Sequence, residues 1–285
     1  MPMTRYCRLI RSVTGSLVAG AVLCWSAEVP WAWEGGTKIG FDTNINRSVD
    51  DEEADSYVTG YALYRWEPLW EAPLTWNTTV SLEGTAYSDF SDLNCGVATI
   101  SPGLIYRYGR KWEMGLYAFL EGKAVKDEDQ SALTFGGKVN LGRKWRRDHY
   151  IGGYYLFADS DARAETYSFT EHALGAFVGR NWTPWSFGEI SYEFAHGDSF
   201  RAVDWETETS SGQGAGGHKA RRRYSQAFGT DVIRESVDQH TLGADLGLDV
   251  TASLFLWASY SFTRATGDLG TSTSHCGFIG IAYAF

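Results

Sequence analysis

Apolar residues recur at every second position along most of this chain, a period that selects β-strands and excludes amphipathic helices. Ile39, Phe41, Thr43 and Ile45 alternate with Lys38, Asp42 and Asn44. Trp76, Thr78, Val80 and Leu82 alternate with Asn77, Thr79, Ser81 and Glu83, and Met114, Leu116, Ala118 and Leu120 with Glu113, Gly115, Tyr117, Phe119 and Glu121. Leu242 to Val250 and Leu254 to Phe262 repeat the pattern. About twelve such segments are counted, near 37–46, 57–66, 75–87, 96–108, 112–124, 132–144, 149–159, 166–179, 186–197, 240–250, 253–265 and 274–285. A soluble sandwich alternates as well, so the period alone does not choose between sandwich and barrel.

The connections do choose. Polar, acidic loops follow the odd strands at Arg47–Ser56, Ser88–Cys95, Val125–Ser131, Asp159–Glu165, Gly197–Gln239 and Ala265–Thr273. Tight turns follow most even ones, around Gly109-Arg110, Arg143–Asp148, Arg180–Pro184 and Thr251-Ala252, with the longer Glu67–Leu74 as the exception. Long loops on one rim, short turns on the other and an even strand count are the topology of a membrane barrel. Trp66, Trp76, Tyr106, Tyr108, Trp112, Trp145, Tyr150, Trp182 and Tyr283 flank the short turns, where amphipathic rings mark a hydrocarbon–water boundary. The expected fold is all-β, a transmembrane antiparallel up-and-down β-barrel over residues 35–285 with a long extracellular loop at 197–239.

The N-terminus reads as a secretory signal over 1–27. Arg5, Arg8 and Arg11 precede an apolar stretch from Ser12 to Cys24, with small residues at Ser26, Ala27 and Ala32 offering cleavage sites up to about 32. Leu23 stands before Cys24 where a lipid-anchor signal prefers a small residue. Three arginines and no acid leave with residues 1–27, so the formal charge moves from −10 to −13. That balance disfavours nucleic acid, whose phosphates require surplus Lys and Arg.

The closing strand is more specific. Gly277, Ile279, Ile281, Tyr283 and Phe285 occupy alternate positions, and Phe285 is the last residue. This resembles the terminal strand of bacterial outer-membrane β-barrels, which implies recognition of Phe285 by the barrel assembly machinery and residence in the outer membrane, among lipid and lipopolysaccharide. Gly40 to Asn46 is similar to first strands of several such barrels. The size resembles twelve-stranded, porin-like members, a class that also contains surface proteases, lipid-modifying enzymes and autotransporter translocators.

With the apolar positions turned to lipid, the inward set is Lys38, Asp42, Arg65, Glu83, Arg107, Glu113, Glu121, Lys123, Lys138, Asp245 and Asp249, with Glu189 and Glu193 on a strand that is partly apolar on both faces. Twelve strands ~4.8 Å apart and tilted ~40° give a backbone radius of roughly 12 Å. Inward side chains then leave a free radius of ~5 Å, before any loop folds in. Two readings follow: a narrow, weakly cation-selective pore, since eight acids face five bases, or a lumen plugged by mutually paired charges.

Other constellations compete with plain explanations. His149, His172, His196, His218, His240 and His275 show no zinc-ligand spacing, so no metal or other cofactor is expected. Asp89 and Asp92 in one outer loop, with His196 and Asp198 at another, form a candidate water-activating group. The arrangement resembles the acidic and His–Asp pairs of omptin surface proteases, although Asp-x-x-Asp and His-Gly-Asp depart from that pattern. Gly212, Gly214 and Gly217 match a dinucleotide fingerprint without the strand and helix it needs, and are read as a loop tip. Arg221, Arg222 and Arg223 are candidate contacts for lipopolysaccharide phosphates. The acidic run Asp50–Glu53 is a solvated loop or a divalent-cation ligand set. Cys95 and Cys276 reach the same rim, and a disulfide between them needs the second loop to fold over the lumen.

Overall fold

A computed structural model describes residues 31–67, 73–109, 111–146, 148–203 and 222–285. The strands are β1 (Trp31–Asp42), β2 (Asp55–Trp66), β3 (Leu74–Tyr87), β4 (Cys95–Tyr108), β5 (Trp112–Val125), β6 (Ala132–Lys144) and β7 (His149–Ala162). They continue as β8 (Phe169–Thr183), β9 (Ser186–Val203), β10 (Arg222–Ser225), β11 (Thr230–Asp249), β12 (Leu254–Gly267) and β13 (Gly270–Ala284). Each pairs antiparallel with its neighbour, β9 pairs with β11, and β13 returns to β1, which closes a ring of twelve strands. β10 is a short extra strand that pairs with β11 above that ring. The fold is therefore the closed up-and-down barrel that alternation and loop lengths require. Closure matters physically, because an open edge would leave unpaired backbone groups in lipid.

The outer face is apolar. Ile39, Leu82, Leu116, Leu133, Leu174, Ile190, Leu246 and Ile279 are all exposed, which no water-soluble sheet would tolerate around its whole circumference. At the short-turn rim Trp66, Trp76, Tyr106, Tyr108, Trp112, Trp145, Trp182 and Tyr283 also point outward. Tyr150 does not. It is buried on the inward side of β7, because its strand neighbour Ile151 holds the outward position.

Inward aromatic rings are accommodated by glycines on the adjacent strand. A Cβ at Gly175 would lie 2.2 Å from the ring of Tyr154, its register partner, and one at Gly179 would lie 2.1 Å from that of Tyr150. Gly152 serves Phe177, Gly136 serves Phe119, Gly247 serves Phe187 and Gly280 serves Trp257, always between register partners. Each ring lies flat across the neighbouring strand because that strand carries no side chain there. The rings gather into two clusters, one around Tyr150, Tyr154 and Phe177 and one around Phe187, Trp257 and Phe278.

Two loop expectations change. β9 and β11 pair from Ser186–Leu248 up to Val203–Asp231, so this hairpin rises past the expected ends at 197 and 240 and takes much of the long loop into the sheet. Ala265–Thr273 is not a loop: the ladder between β12 and β13 continues to Gly267–Gly270, leaving a two-residue turn with Gly270 at φ 121. Cross-strand hydrogen bonds extend both hairpins where the local sequence is polar enough to read as loop. The tip residues Gly212, Gly214, Gly217 and His218 lie outside the described residues, as does the signal segment.

Candidate functional site

The barrel interior is the candidate site. Lys38, Asp42, Arg65, Glu83, Arg107, Glu113, Glu121, Lys123, Lys138, Asp245 and Asp249 occupy the strand positions that alternate with the exposed apolar ones, and so do Glu189 and Glu193. Several are drawn into pairs. Lys38 Nζ lies 3.2 Å from Glu83 Oε1, and Arg107 bridges Glu113 at 3.1 Å and Glu67 at 2.7 Å. Lys138 sits over the Tyr154 ring, 4.1 Å from its centroid, and the Tyr154 hydroxyl donates to Glu193. Charges taken from water need such partners.

The free bore of ~5 Å radius expected from strand geometry is not what the interior contains. The short-turn half is filled by side chains such as Leu63, Ile105, Leu156, Phe187 and Trp257, all buried. The long-loop half keeps a cavity of about 160 Å³. One wall of it, from β9, β11, β12 and β13, is a hydroxyl surface of Ser191, Thr241, Ser259, Ser261, Thr263, Ser272 and Ser274. Asp42, Glu193, Lys123, Arg47 and Arg201 supply its charges. Small inward residues on these strands leave the space; large ones on the other side of the barrel fill theirs.

A lid covers this cavity. The first loop turns inward after Asp42, whose carboxylate accepts the Asn44 N–H at 2.9 Å. The loop then crosses to β9: the Ala202 N–H donates to the Asn46 carbonyl, and the Arg47 guanidinium lies 2.7 Å from Ser199 Oγ and 4.9 Å from the Phe200 ring centroid. An apolar cap packs above, built of Leu93, Ala164, Tyr167, Ala202, Phe228 and Val232, with Ile45 and Phe90 against it. Beside it Arg201 and Glu235 pair at 2.7 Å with side chains 1% and 2% exposed, and Glu235 also accepts the Leu269 N–H. In the loop itself, burial and the nearby Asp51 push the Glu53 carboxyl above the usual carboxylate range. Sequence reading did not single out Arg47 or Arg201. The only signal was local, a positively charged residue on an acidic loop and one at an inward strand position.

The remaining candidates are placed apart. Cys95 and Cys276 both line the cavity but are free thiols, not a disulfide; Cys276 Sγ instead lies 3.7 Å from the Tyr57 hydroxyl. His196 and Asp198 are on the outward face of β9 and bind Asp238 at 2.8 Å and Arg234 at 2.6 Å. Asp92 pairs with Lys126 at 2.8 Å on the other side of the ring. No shared water-activating centre is formed by these groups, since their partners lie on their own sides of the barrel. Arg223 forms two bonds to Asp129, at 2.6 and 2.7 Å, and so ties β10 to the β5–β6 loop. Arg221 and the side chain of Arg222 lie outside the described residues. Within the acidic run, Glu52 accepts from Thr273 and Glu53 from Asn46.

No protein-family model matches the chain, and no curated protein sequence does. Among solved structures it is similar to the KdgM porin in complex with disordered oligogalacturonate, with TM-score 0.48 and 7% identity over 88% of this chain and 99% of that one. It is similar to the NanC porin, with TM-score 0.47 and 8% identity over 87% and 98%. The β domain of the Bordetella autotransporter BrkA gives TM-score 0.43 and 12% identity over 90% and 100%. These similarities concern the course of the chain; no residue role is transferred from them.

Proposed function

We propose that this chain is an outer-membrane channel for ions or small polar solutes, held closed in the conformation described by its first loop and apolar cap. The observation that carries the reading is the charged, hydroxyl-lined cavity of about 160 Å³ enclosed by a barrel with an apolar exterior. A purely structural plug would gain more from packing that space than from leaving a polar hollow in it. Along the strands the inward set holds eight acids against five bases, which favours cations, while the cavity itself sets Asp42 and Glu193 against Lys123, Arg47 and Arg201. Phe285, whose N–H donates to the Trp33 carbonyl at the closing seam, is the proposed handle for the assembly machinery. A second reading, a barrel with a permanently closed lumen, is favoured by the filled short-turn half.

Planar-bilayer recording of the purified chain separates the two. Discrete conductance steps are expected, with cation preference weakened by Glu113→Gln combined with Asp245→Asn. Silence at every voltage, in the wild type and in a variant with the first loop shortened, would leave the closed-barrel reading.

A further inference from the structure

The outer face carries one side-chain arrangement three times. On β7 and β8, the Tyr155 hydroxyl lies 2.7 Å from His172 Nδ1, and the Phe157 ring centroid lies 5.2 Å from that imidazole. On β9 and β11, Tyr192 lies 2.7 Å from His240 Nδ1, with Phe194 at 5.2 Å. On β12 and β13, Tyr260 lies 2.6 Å from His275 Nδ1, with Phe262 at 5.1 Å. In each case a Tyr-x-Phe on one strand meets a histidine that is the register partner of the Phe. The three copies occupy successive hairpins joined at the long-loop rim.

Their height is shared. Below His240 and His275 the outward positions run apolar or aromatic for ten residues, to Val250 and Phe285; below His172 they do so to Val178, and Arg180 precedes Trp182 at the tenth. At ~3.3 Å per residue and a tilt of ~40°, that span is about 25 Å, the height of the apolar band of a membrane barrel. Above the triads the outward positions turn polar, with Asp159, His196, Asp238 and Arg264. The imidazoles therefore sit where hydrocarbon ends and headgroups begin.

We propose that this arc of triads is a docking surface for phosphorylated lipid headgroups of the leaflet at the long-loop rim. Tyr hydroxyl and Nδ1 satisfy each other and fix the ring, while no described residue bonds Nε2 of the three histidines. With each Tyr hydroxyl donating to Nδ1, Nε2–H is the free donor at the boundary, where an anionic headgroup oxygen can accept it. The charges facing each ring are mixed and locally engaged. His172 faces His196, itself bonded to Asp238, and has Asp159 nearby, held by Thr170; His240 faces Arg264; and the His275 backbone N–H is held by Thr43. With Asp238 and Asp159 taken, Arg264 and the imidazoles leave the arc attractive to phosphate.

The test uses the purified full chain in neutral-detergent micelles. Native mass spectrometry follows binding of phosphorylated lipid A and of the same lipid after phosphate removal. The phosphorylated form is expected to bind about tenfold more tightly than the dephosphorylated one. H172Q/H240Q/H275Q should erase the advantage while the unheated protein keeps its compact gel mobility. If that variant does not fold, Y155F/Y192F/Y260F is read instead and should reduce the advantage severalfold by freeing the rings. Equal binding of both lipids, an undiminished advantage in the variant that folds, or full displacement by millimolar inorganic phosphate would overturn the proposal.

Discussion

The Arg47 guanidinium donates to the Ser199 hydroxyl at 2.7 Å, and this contact carries the first loop across the mouth to a strand four positions away around the ring. With the Ala202 N–H donating to the Asn46 carbonyl beside it, the loop is held over the cavity by contacts that are not part of any barrel ladder.

Arg47→Ala removes both the hydrogen bond and the stacking on Phe200. Losing about 1–2 kcal/mol of lid contact shifts the closed–open ratio roughly tenfold. Longer or more frequent openings are expected in single-channel records, with thermal unfolding of the barrel unchanged.

The lid should also respond to acid. Glu53 is held above the usual carboxylate range in the closed loop, so the closed state takes up a proton more readily than a released loop. Closure then strengthens as pH falls toward the ordinary carboxylate value, and this gain is lost as pH rises through the elevated one. Open probability recorded between pH 4 and pH 7 should fall on acidification, and Glu53→Gln should flatten that slope.

Gly175→Ala drives a Cβ into the Tyr154 ring, whereas at Gly60 nothing lies within 4 Å of a Cβ. Overpacking of this kind costs roughly 1–3 kcal/mol. Urea unfolding in detergent should show that loss for Gly175→Ala and none for Gly60→Ala, and Tyr154→Leu should relieve it.

Glu235→Gln leaves Arg201 buried without a counter-charge at the top of the extended hairpin. Breaking one side of a buried pair costs about 3–5 kcal/mol. Proteolysis should then cut within residues 223–230 faster than in the wild type, while the lower barrel keeps its resistance.

The period-two pattern made the inward set readable residue by residue, and it did so even for Arg65, Glu189 and Glu193 on ambiguous strands. The same rule explains why Tyr150 was misplaced: its chemistry suits a membrane girdle, but parity with Ile151 turns it inward over Gly179. The triads escaped sequence reading because their bonded residues stand 17, 48 and 15 positions apart. Only the recurrence of Tyr-x-Phe at 155, 192 and 260 hinted at them.

Sequence by itself determined that the chain closes into a ring with apolar residues outside and charged ones inside, since alternation and loop length are properties of neighbouring residues. Tertiary structure alone decided how full that interior is, where β9 and β11 end, and that the first loop lies across the mouth. Those outcomes depend on register and on contacts between residues far apart in the chain, where a glycine on one strand makes room for a ring from the next and Ser199 waits for Arg47.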